Sequence, residues 1–441
     1  QGGWSWFKGF PASRTITLSI LQGMERLVHL NAVQYGQAEK EAQINALKFL
    51  DRRIQEDYDR LRRNNPDWQN TWPTPEQVDY LFVRSAYRDI PEAGGAREAI
   101  RFYTRQAEKY WEKYALIQKG EIALLAHRNG EKAVAAKILA WLEKTATTST
   151  EMGMYWANNR RENNYFTSPI DTHCLLMETF AEIAPDSART DSLKQWLLNQ
   201  KRTQNWESTP GTVNAIYALL LTGGDWLNDS NVCTAQWGEQ TFSTTEGDIA
   251  TGYLKTTLPT ETTQKKNDRN VYIRKTGDTP AWGAVYEQYF QPIRTVEGTK
   301  GALWADKKLF IEINNGTNRQ LRPVEPGERL HVGDKVIVRL TVRTDREMDY
   351  VVLKDLRAGC FEPARQLSGT EYKDGIRYYR SPKDASEQFF FERLPIGTFV
   401  LEYPAYVSRS GEYAGGLSTI QCLYAPEFVS HTAGGTLSVT E

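Results

Sequence analysis

A chain of 441 residues exceeds what one hydrophobic core usually serves and implies two or three domains, each large enough for a core of its own. Lys and Arg number 54 against 55 Asp and Glu, a formal net charge of −1, so no global field recruits nucleic acid or an anionic membrane. The four cysteines, Cys174, Cys233, Cys360 and Cys422, have no paired spacing, which argues against a disulfide scaffold or a zinc knuckle and for free, largely buried thiols.

The chain opens on Gly2-Gly3-Trp4-Ser5-Trp6, and Phe10-Pro11-Ala12-Ser13 then leads into a helical run through Leu30. A glycine-aromatic turn feeding a Pro/Ser-capped amphipathic helix is the joint of a helical toroid. A domain seldom begins inside its own repeat, so the chain is expected to start partway through a larger protein. Ile44, Leu47, Leu50, Ile54, Tyr58 and Leu61 recur at three and four and mark one buried stripe of the next helix. Thr74-Pro75-Glu76-Gln77 supplies an N-cap, a proline at the first helical position and a capping-box Gln. Further helices fit 96–116, 120–128, 132–144, 169–184, 187–199 and 212–221. Short basic runs at Arg52-Arg53, Arg60 to Arg63 and Arg160-Arg161 read as solvated helix faces. The aromatic turn returns at Tyr155-Trp156, ahead of Phe166-Thr167-Ser168-Pro169, and again at Trp206-Glu207-Ser208-Thr209. Nine of the 13 Trp lie before residue 210, and the three aromatic-turn-helix units predict an α/α toroid, terpenoid-cyclase-like, or an arc of one. An irregular helical bundle is the plainer alternative.

After Thr222-Gly223-Gly224 the period switches to two. Val336, Val338, Leu340 and Val342 share one face, with Lys335, Arg339 and Thr341 on the other. Strands also fit 350–353, 389–391, 399–401 and 420–423, with turns at Pro395-Ile396-Gly397 and Arg409-Ser410-Gly411. The polar stretch 243–270 suggests long loops or a break. The chain is thus expected to be multidomain α + β: a toroid over 1–222, a small β-sandwich over 223–295 and a larger antiparallel β-sandwich over 296–441.

Catalytic signatures are sparse. His29, His127, His173, His331 and His431 lack metal-ligand spacing, and no nucleophile elbow, P-loop, dinucleotide fingerprint or terpene-cyclase acidic cluster is present. One constellation has acid–base potential: His173 with Tyr155, Asn158, Asn159, Arg160, Arg161, Asn163, Asn164 and Tyr165. Toroid-plus-sandwich polysaccharide lyases use such groups to neutralise a uronate, abstract its C5 proton and protonate the leaving oxygen. Against this, Leu176, Met177 and Phe180 put His173 in an apolar stripe, the setting of a core histidine. No cofactor or metal is expected.

Gly2-Gly3-Trp4-Ser5-Trp6, Tyr155-Trp156, Thr172 opening an apolar helix, and Trp206-Glu207-Ser208-Thr209 with Thr212 together resemble the thioester-containing domain of bacterial alpha-2-macroglobulins. Their signature positions are Gly3, Trp4, Trp6, Trp156 and Trp206. The last sandwich is similar to that family's C-terminal macroglobulin domain through Val332-Gly333-Asp334, Asp349-Tyr350-Val351-Val352, Asp355-Leu356, Ala358-Gly359, Leu394-Pro395-Ile396-Gly397, Tyr424-Ala425-Pro426-Glu427 and Ala433-Gly434-Gly435. Two local departures, Ala358 for Pro and Cys360 for Gly, touch one turn.

The resemblance implies a protease trap: a bait is cut, the molecule rearranges and the attacker is held. The implied partners are target proteases and upstream macroglobulin domains of the same protein, with no nucleic acid and a membrane only through a lipid anchor outside this chain. Many members store an acyl group as an internal thioester in a Cys-x-Glu-Gln motif. No such motif occurs here. Cys360-Phe361-Glu362-Pro363 ends in Pro, and Gly238-Glu239-Gln240 lacks the cysteine. In the family the thioester lies upstream of the Gly-Gly-Trp segment, and some bacterial members have lost it. Leu423 and Tyr424 match the position from which the last domain shields the thioester, or equally a packed strand end. The resemblance also implies an endopeptidase inhibitor rather than an enzyme, placed in the bacterial cell envelope, in the periplasm. The rival readings are a lyase centred on His173 and a non-catalytic envelope module that binds proteins or glycans.

Overall fold

The computed structural model describes residues 2–159, 168–206, 208–223, 232–248, 253–258, 270–277, 281, 283–286, 290–315 and 318–441. Two compact units emerge: residues 1–222 together with 291–441, and residues 223–290.

Among the described residues, the first unit begins with nine α-helices: α1 (Arg14–His29), α2 (Gln37–Asn64), α3 (Pro75–Ser85), α4 (Ala96–Lys109), α5 (Leu116–Asn129), α6 (Lys132–Thr145), α7 (Pro169–Ile183), α8 (Ser187–Thr203) and α9 (Thr209–Thr222). A short hairpin of β1 (Thr147–Ser149) and β2 (Gly153–Tyr155) separates α6 from α7. The local signals act as the sequence implies. Thr74 accepts from the Gln77 amide while the Gln77 side chain bonds back to Thr74, a complete capping box with Pro75 inside it. Ser168, Pro169 and Asp171 repeat the device at α7. The helix expected over 96–116 instead ends at Lys109 and yields to a 3-10 turn, Trp111–Lys113. Its successor starts at Leu116, so Gly120 is interior: a Cβ there would come within 3.0 Å of Leu176, and the glycine allows α5 to close on α7.

One apolar core runs through all these helices, from Leu18 to Ala218. Charges are buried inside it. The Arg26 guanidinium reaches Glu178 at 2.8 Å and Asn214 at 2.6 Å, and Asn214 in turn donates to Asp171 at 2.6 Å, tying α1, α7 and α9 together. Arg128 on α5 binds Glu182 through two nitrogens.

The C-terminal part of this unit holds β6 (Leu303–Asn315), β7 (Asn318–Pro323), β8 (Arg329–His331), β9 (Lys335–Thr344), β10 (Met348–Leu356), β11 (Phe361–Pro363), β12 (Gly369–Lys373), β13 (Ile376–Pro382), β14 (Ser386–Leu394), β15 (Gly397–Val407), β16 (Gly411–Ala414), β17 (Ser418–Cys422), β18 (Val429–His431) and β19 (Thr436–Thr440). A six-stranded sheet, β12-β13-β14-β10-β17-β18, and a five-stranded sheet, β11-β15-β9-β6-β7, contribute to a shared core. Val338, Leu340 and Val342 of β9 lie in that core with Val351, Leu353, Phe389, Phe391, Ile420 and Cys422, as the period-two pattern requires. A small third sheet, β16-β19-β8, includes a parallel pair, β19 with β8, a departure from the all-antiparallel expectation.

In the second unit, β3 (Cys233–Trp237), β4 (Gln240–Ser243) and β5 (Val271–Lys275) form a three-stranded antiparallel sheet in the order β4-β3-β5. Much of the polar stretch 243–270 lies outside the described residues.

Candidate functional site

The tryptophans of the three aromatic turns play different roles. Gly3 lies against α2, where a Cβ would come within 2.6 Å of Phe49, and the Trp4 amide donates to Thr17 of α1 at 2.9 Å. Trp6 is 53% exposed. Trp156 and Trp206 are buried, and each indole donates to a carbonyl of an earlier helix: Leu142 of α6 at 3.0 Å and Leu197 of α8 at 3.1 Å. These are packing anchors, with the N–H satisfied as a buried indole requires.

His173 belongs to the same packing. It has no solvent exposure, its Nε2 lies 3.0 Å from the Leu193 carbonyl and its ring sits 4.2 Å from that of Trp196. Burial pushes its pKa down to about 4, so the ring is neutral at physiological pH. Asn159 bonds the Pro169 carbonyl at 2.8 Å. Arg160, Arg161, Asn163, Asn164 and Tyr165 lie outside the described residues, as does the Phe166-Thr167 pair of the second aromatic turn and Glu207 of the third. An enclosed histidine cannot touch a polymer, so the lyase constellation loses its base.

Three of the four cysteines are likewise closed off as nucleophiles. All four are unpaired, and Cys174, Cys360 and Cys422 are buried. Burial raises the Cys360 thiol to about 11 and also raises those of Cys174 and Cys422, away from the reactive thiolate.

The most distinctive surface lies at one end of the sandwich. Leu423 and Tyr424 follow β17 directly, and they are 54% and 76% exposed. The Leu423 amide donates to the Tyr350 carbonyl at 2.9 Å, and the Tyr424 ring meets that of Tyr350 edge-on at 5.2 Å. Tyr350 has φ +56, a left-handed conformation that costs a bulky residue energy, and it is 46% exposed. A strained tyrosine, an exposed leucine and a second tyrosine thus form one apolar tip. Sequence reading gave Leu423 and Tyr424 as shield residues or a packed strand end and put Tyr350 in a strand without a role; the positive φ that turns Tyr350 toward them is a backbone conformation that no local pattern encodes.

The loop that carries the tip continues to Glu427 and Phe428, which meet the helical region. Arg202 of α8 pairs with Glu427 at 2.6 Å. Arg346, between β9 and β10, pairs with Glu151 of the β1–β2 hairpin at 2.7 Å. Both guanidinium groups stand over the Phe428 ring, at 5.5 Å and 5.0 Å from its centre. The Asn205 amide adds a bond to Asp349, next to Tyr350, at 3.3 Å. The apolar core of the helices and those of the sheets share no residue. Among the described residues, these charge pairs and the Phe428 ring join the two regions. A pocket of about 580 Å³ opens elsewhere, between Arg357, Phe361 and Lys383, and is not part of the tip.

Residues 305–427 match the family model of the bacterial alpha-2-macroglobulin MG10 domain. A search of curated proteins gave no match. Among solved structures, the chain aligns over 100% of its length with Salmonella alpha-2-macroglobulin reacted with methylamine, at 15% identity, a TM-score of 0.34 and 26% of that chain covered. It aligns likewise with trypsin-activated alpha-2-macroglobulin from Escherichia coli, at 13% identity, a TM-score of 0.41 and 28% of that chain. A native Escherichia coli alpha-2-macroglobulin spanning domain MG7 to the C-terminus aligns at 13% identity, a TM-score of 0.34 and 65% of that chain. This chain spans only about a quarter of the first of these proteins.

Proposed function

We propose that the chain is the C-terminal part of a protease trap of the bacterial alpha-2-macroglobulin family, a reading supported by the match of residues 305–427 to that family's MG10 domain. Members of the family are protease inhibitors rather than enzymes. In this reading residues 1–222 are an arc of an α/α toroid of the thioester type, 223–295 a small sandwich, and 296–441 the domain that docks on the toroid before the bait is cut. The partners are target proteases and macroglobulin domains upstream of Gln1, and the location is the bacterial cell envelope, on the periplasmic side.

One observation carries the mechanism: the apolar tip and the charged clamp share a loop. Leu423 and Tyr424 stand on the same turn that Arg202 and Arg346 hold through Glu427 and Phe428, and Tyr350 of β10 packs against Tyr424. Partly exposed ion pairs contribute little each, so a junction built from them opens more readily than one with an apolar core. When bait cleavage loosens the helices from the sheets, the tip leaves with the loop. In a full-length protein with a Cys-x-Glu-Gln motif upstream, the tip would shield the acyl group from water until that moment. In one without it, trapping is steric.

The test uses the full-length protein and a broad-specificity protease. Limited cleavage, a compaction visible by small-angle scattering and retention of the protease in the complex are the expected results. Progressive degradation with no retained protease would refute the proposal.

A further inference from the structure

Helix α4 carries a feature that protease trapping does not use. Arg97, Arg101, Arg105, Lys109 and Lys113 recur at every fourth position and all five are exposed. At 1.5 Å per residue the four within α4 form a ridge about 18 Å long, and Arg101, Arg105 and Lys109 fall within an arc of about 80°. Like charges four apart on a helix destabilise it, so local stability does not account for the row. Arg97 has Glu92 at 3.0 Å. Among the described residues, no carboxylate lies within ion-pair distance of Arg101, Arg105, Lys109 or Lys113. Glu108, beside Lys109, is held partly protonated: burial and the Glu131 charge raise it to about 7, which weakens its offset of the row.

A second observation stands at the C-terminal end of the ridge. Trp72 is 46% exposed, and its ring lies 5.8 Å from that of Tyr110. The Lys113 ammonium caps Trp72 at 3.7 Å and Tyr110 at 4.9 Å, and Lys109 caps Tyr110 at 4.9 Å. The opposite face of α4 is fixed in the core through Ala99, Phe102, Tyr103 and Ala107. The ridge is therefore an outward, convex face on a rigid body.

We propose that this face docks on a bilayer surface rich in anionic phospholipid. A convex row of cations, four of the five without a carboxylate partner among the described residues, beside an exposed indole and a phenol matches the interfacial region of a membrane, where basic side chains meet headgroups and Trp and Tyr take the boundary. Such docking does not depend on the protease-trap reading. Overall neutrality does not oppose it, because screening confines the attraction to charges within about 10 Å of the surface at 0.1 M salt.

The experiment is sedimentation of the 441-residue chain with vesicles of phosphatidylcholine alone or mixed with phosphatidylglycerol, at low and high salt. Binding to the mixed vesicles only, lost at high salt, is expected. The quadruple variant Arg101→Gln, Arg105→Gln, Lys109→Gln, Lys113→Gln should bind at least tenfold more weakly with an unchanged circular dichroism spectrum. The control Lys354→Gln, Arg377→Gln, Lys383→Gln, Arg409→Gln, exposed cations of the sandwich, should bind as the parent does. If the quadruple variant misfolds, Trp72→Ala, Lys113→Gln replaces it, with at least a threefold loss expected. Equal binding by parent and ridge variant overturns the proposal. So does a parent that ignores mixed vesicles yet binds a soluble linear polyanion such as heparin, which would assign the ridge to an extended polymer.

Discussion

The helical region and the sandwich both bury charge, but they neutralise it differently. In the sandwich the buried carboxylates Glu387 and Asp355 both face cations. Glu387, with no exposure, takes Arg357 at 2.8 Å and Arg380 at 2.5 Å, and Asp355 takes Lys307 at 2.8 Å together with the hydroxyls of Ser418 and Tyr403. In the helices Asp51, Glu178 and Glu182 are matched by Arg84, Arg26 and Arg128. Asp79 of α3 and Glu121 of α5, by contrast, face each other. Burial raises Asp79 to about 6 and raises Glu121 well above the usual carboxylate range, so the pair holds a proton. The sandwich is thus built for pairing, and the helical core carries a site that titrates.

The sharpest way to break the contrast is Glu387→Ala. It leaves Arg357 buried without a carboxylate and Arg380 with only Glu371, at 3.7 Å, and the loss of unfolding free energy should be about 3–5 kcal/mol, read by denaturant titration. A loss under about 1 kcal/mol would show that the pairing is dispensable.

Asp79→Asn should act in the other direction. Because the folded-state pKa lies above the ordinary 3.8, the folded chain binds the proton more tightly. Its contribution is fully present below about pH 4 and is lost as pH rises through about 6. The asparagine variant should therefore match the parent at pH 4 and exceed it at pH 8 by about 2–3 kcal/mol, from a shift of roughly two units at about 1.4 kcal/mol each. Thermal unfolding at the two pH values decides, and equal stability of parent and variant at pH 8 would refute the shared proton.

Trp156→Phe removes one buried donor from the Leu142 carbonyl, which keeps the Ala146 amide, and leaves a smaller ring in the core. The cost should be about 1–2 kcal/mol, whereas Trp6→Phe, at an exposed ring, should cost less than about 0.5 kcal/mol. Parallel urea titrations of the two variants separate an anchoring indole from a merely similar motif.

What could be read in advance follows the range of the physics. Capping at Thr74 and Ser168 acts over three residues, and the alternation of Val336 to Val342 acts over one strand, so both are visible in the sequence. Strand β6 was not: Lys307 and Lys308 interrupt its apolar pattern, and Lys307 is admitted only because Asp355, 48 residues later, receives its ammonium. Leu423 and Tyr424 could be placed by resemblance, but their meeting with Tyr350 depends on a positive φ and a cross-strand bond. The clamp on Phe428 joins residues 195 and 225 positions apart in its two ion pairs, a separation that no local pattern spans.

That clamp gives a small but discriminating effect. Arg202 and Glu427 are about a third exposed, 34% and 27%, so Arg202→Ala should lower global stability by only about 0.2–1 kcal/mol. Both regions keep their own apolar cores when the pair is cut, so the loss should appear at the junction instead. Hydrogen exchange of the Asn205 and Leu423 amides, one bonded across the junction and one to Tyr350 at the tip, should accelerate while that of β9 amides stays unchanged. Adding Arg346→Ala should accelerate them more than the two single changes combined, because both guanidinium groups hold the same ring. Strictly additive acceleration would mean that two independent ion pairs, rather than one clamp, join the helices to the sheets.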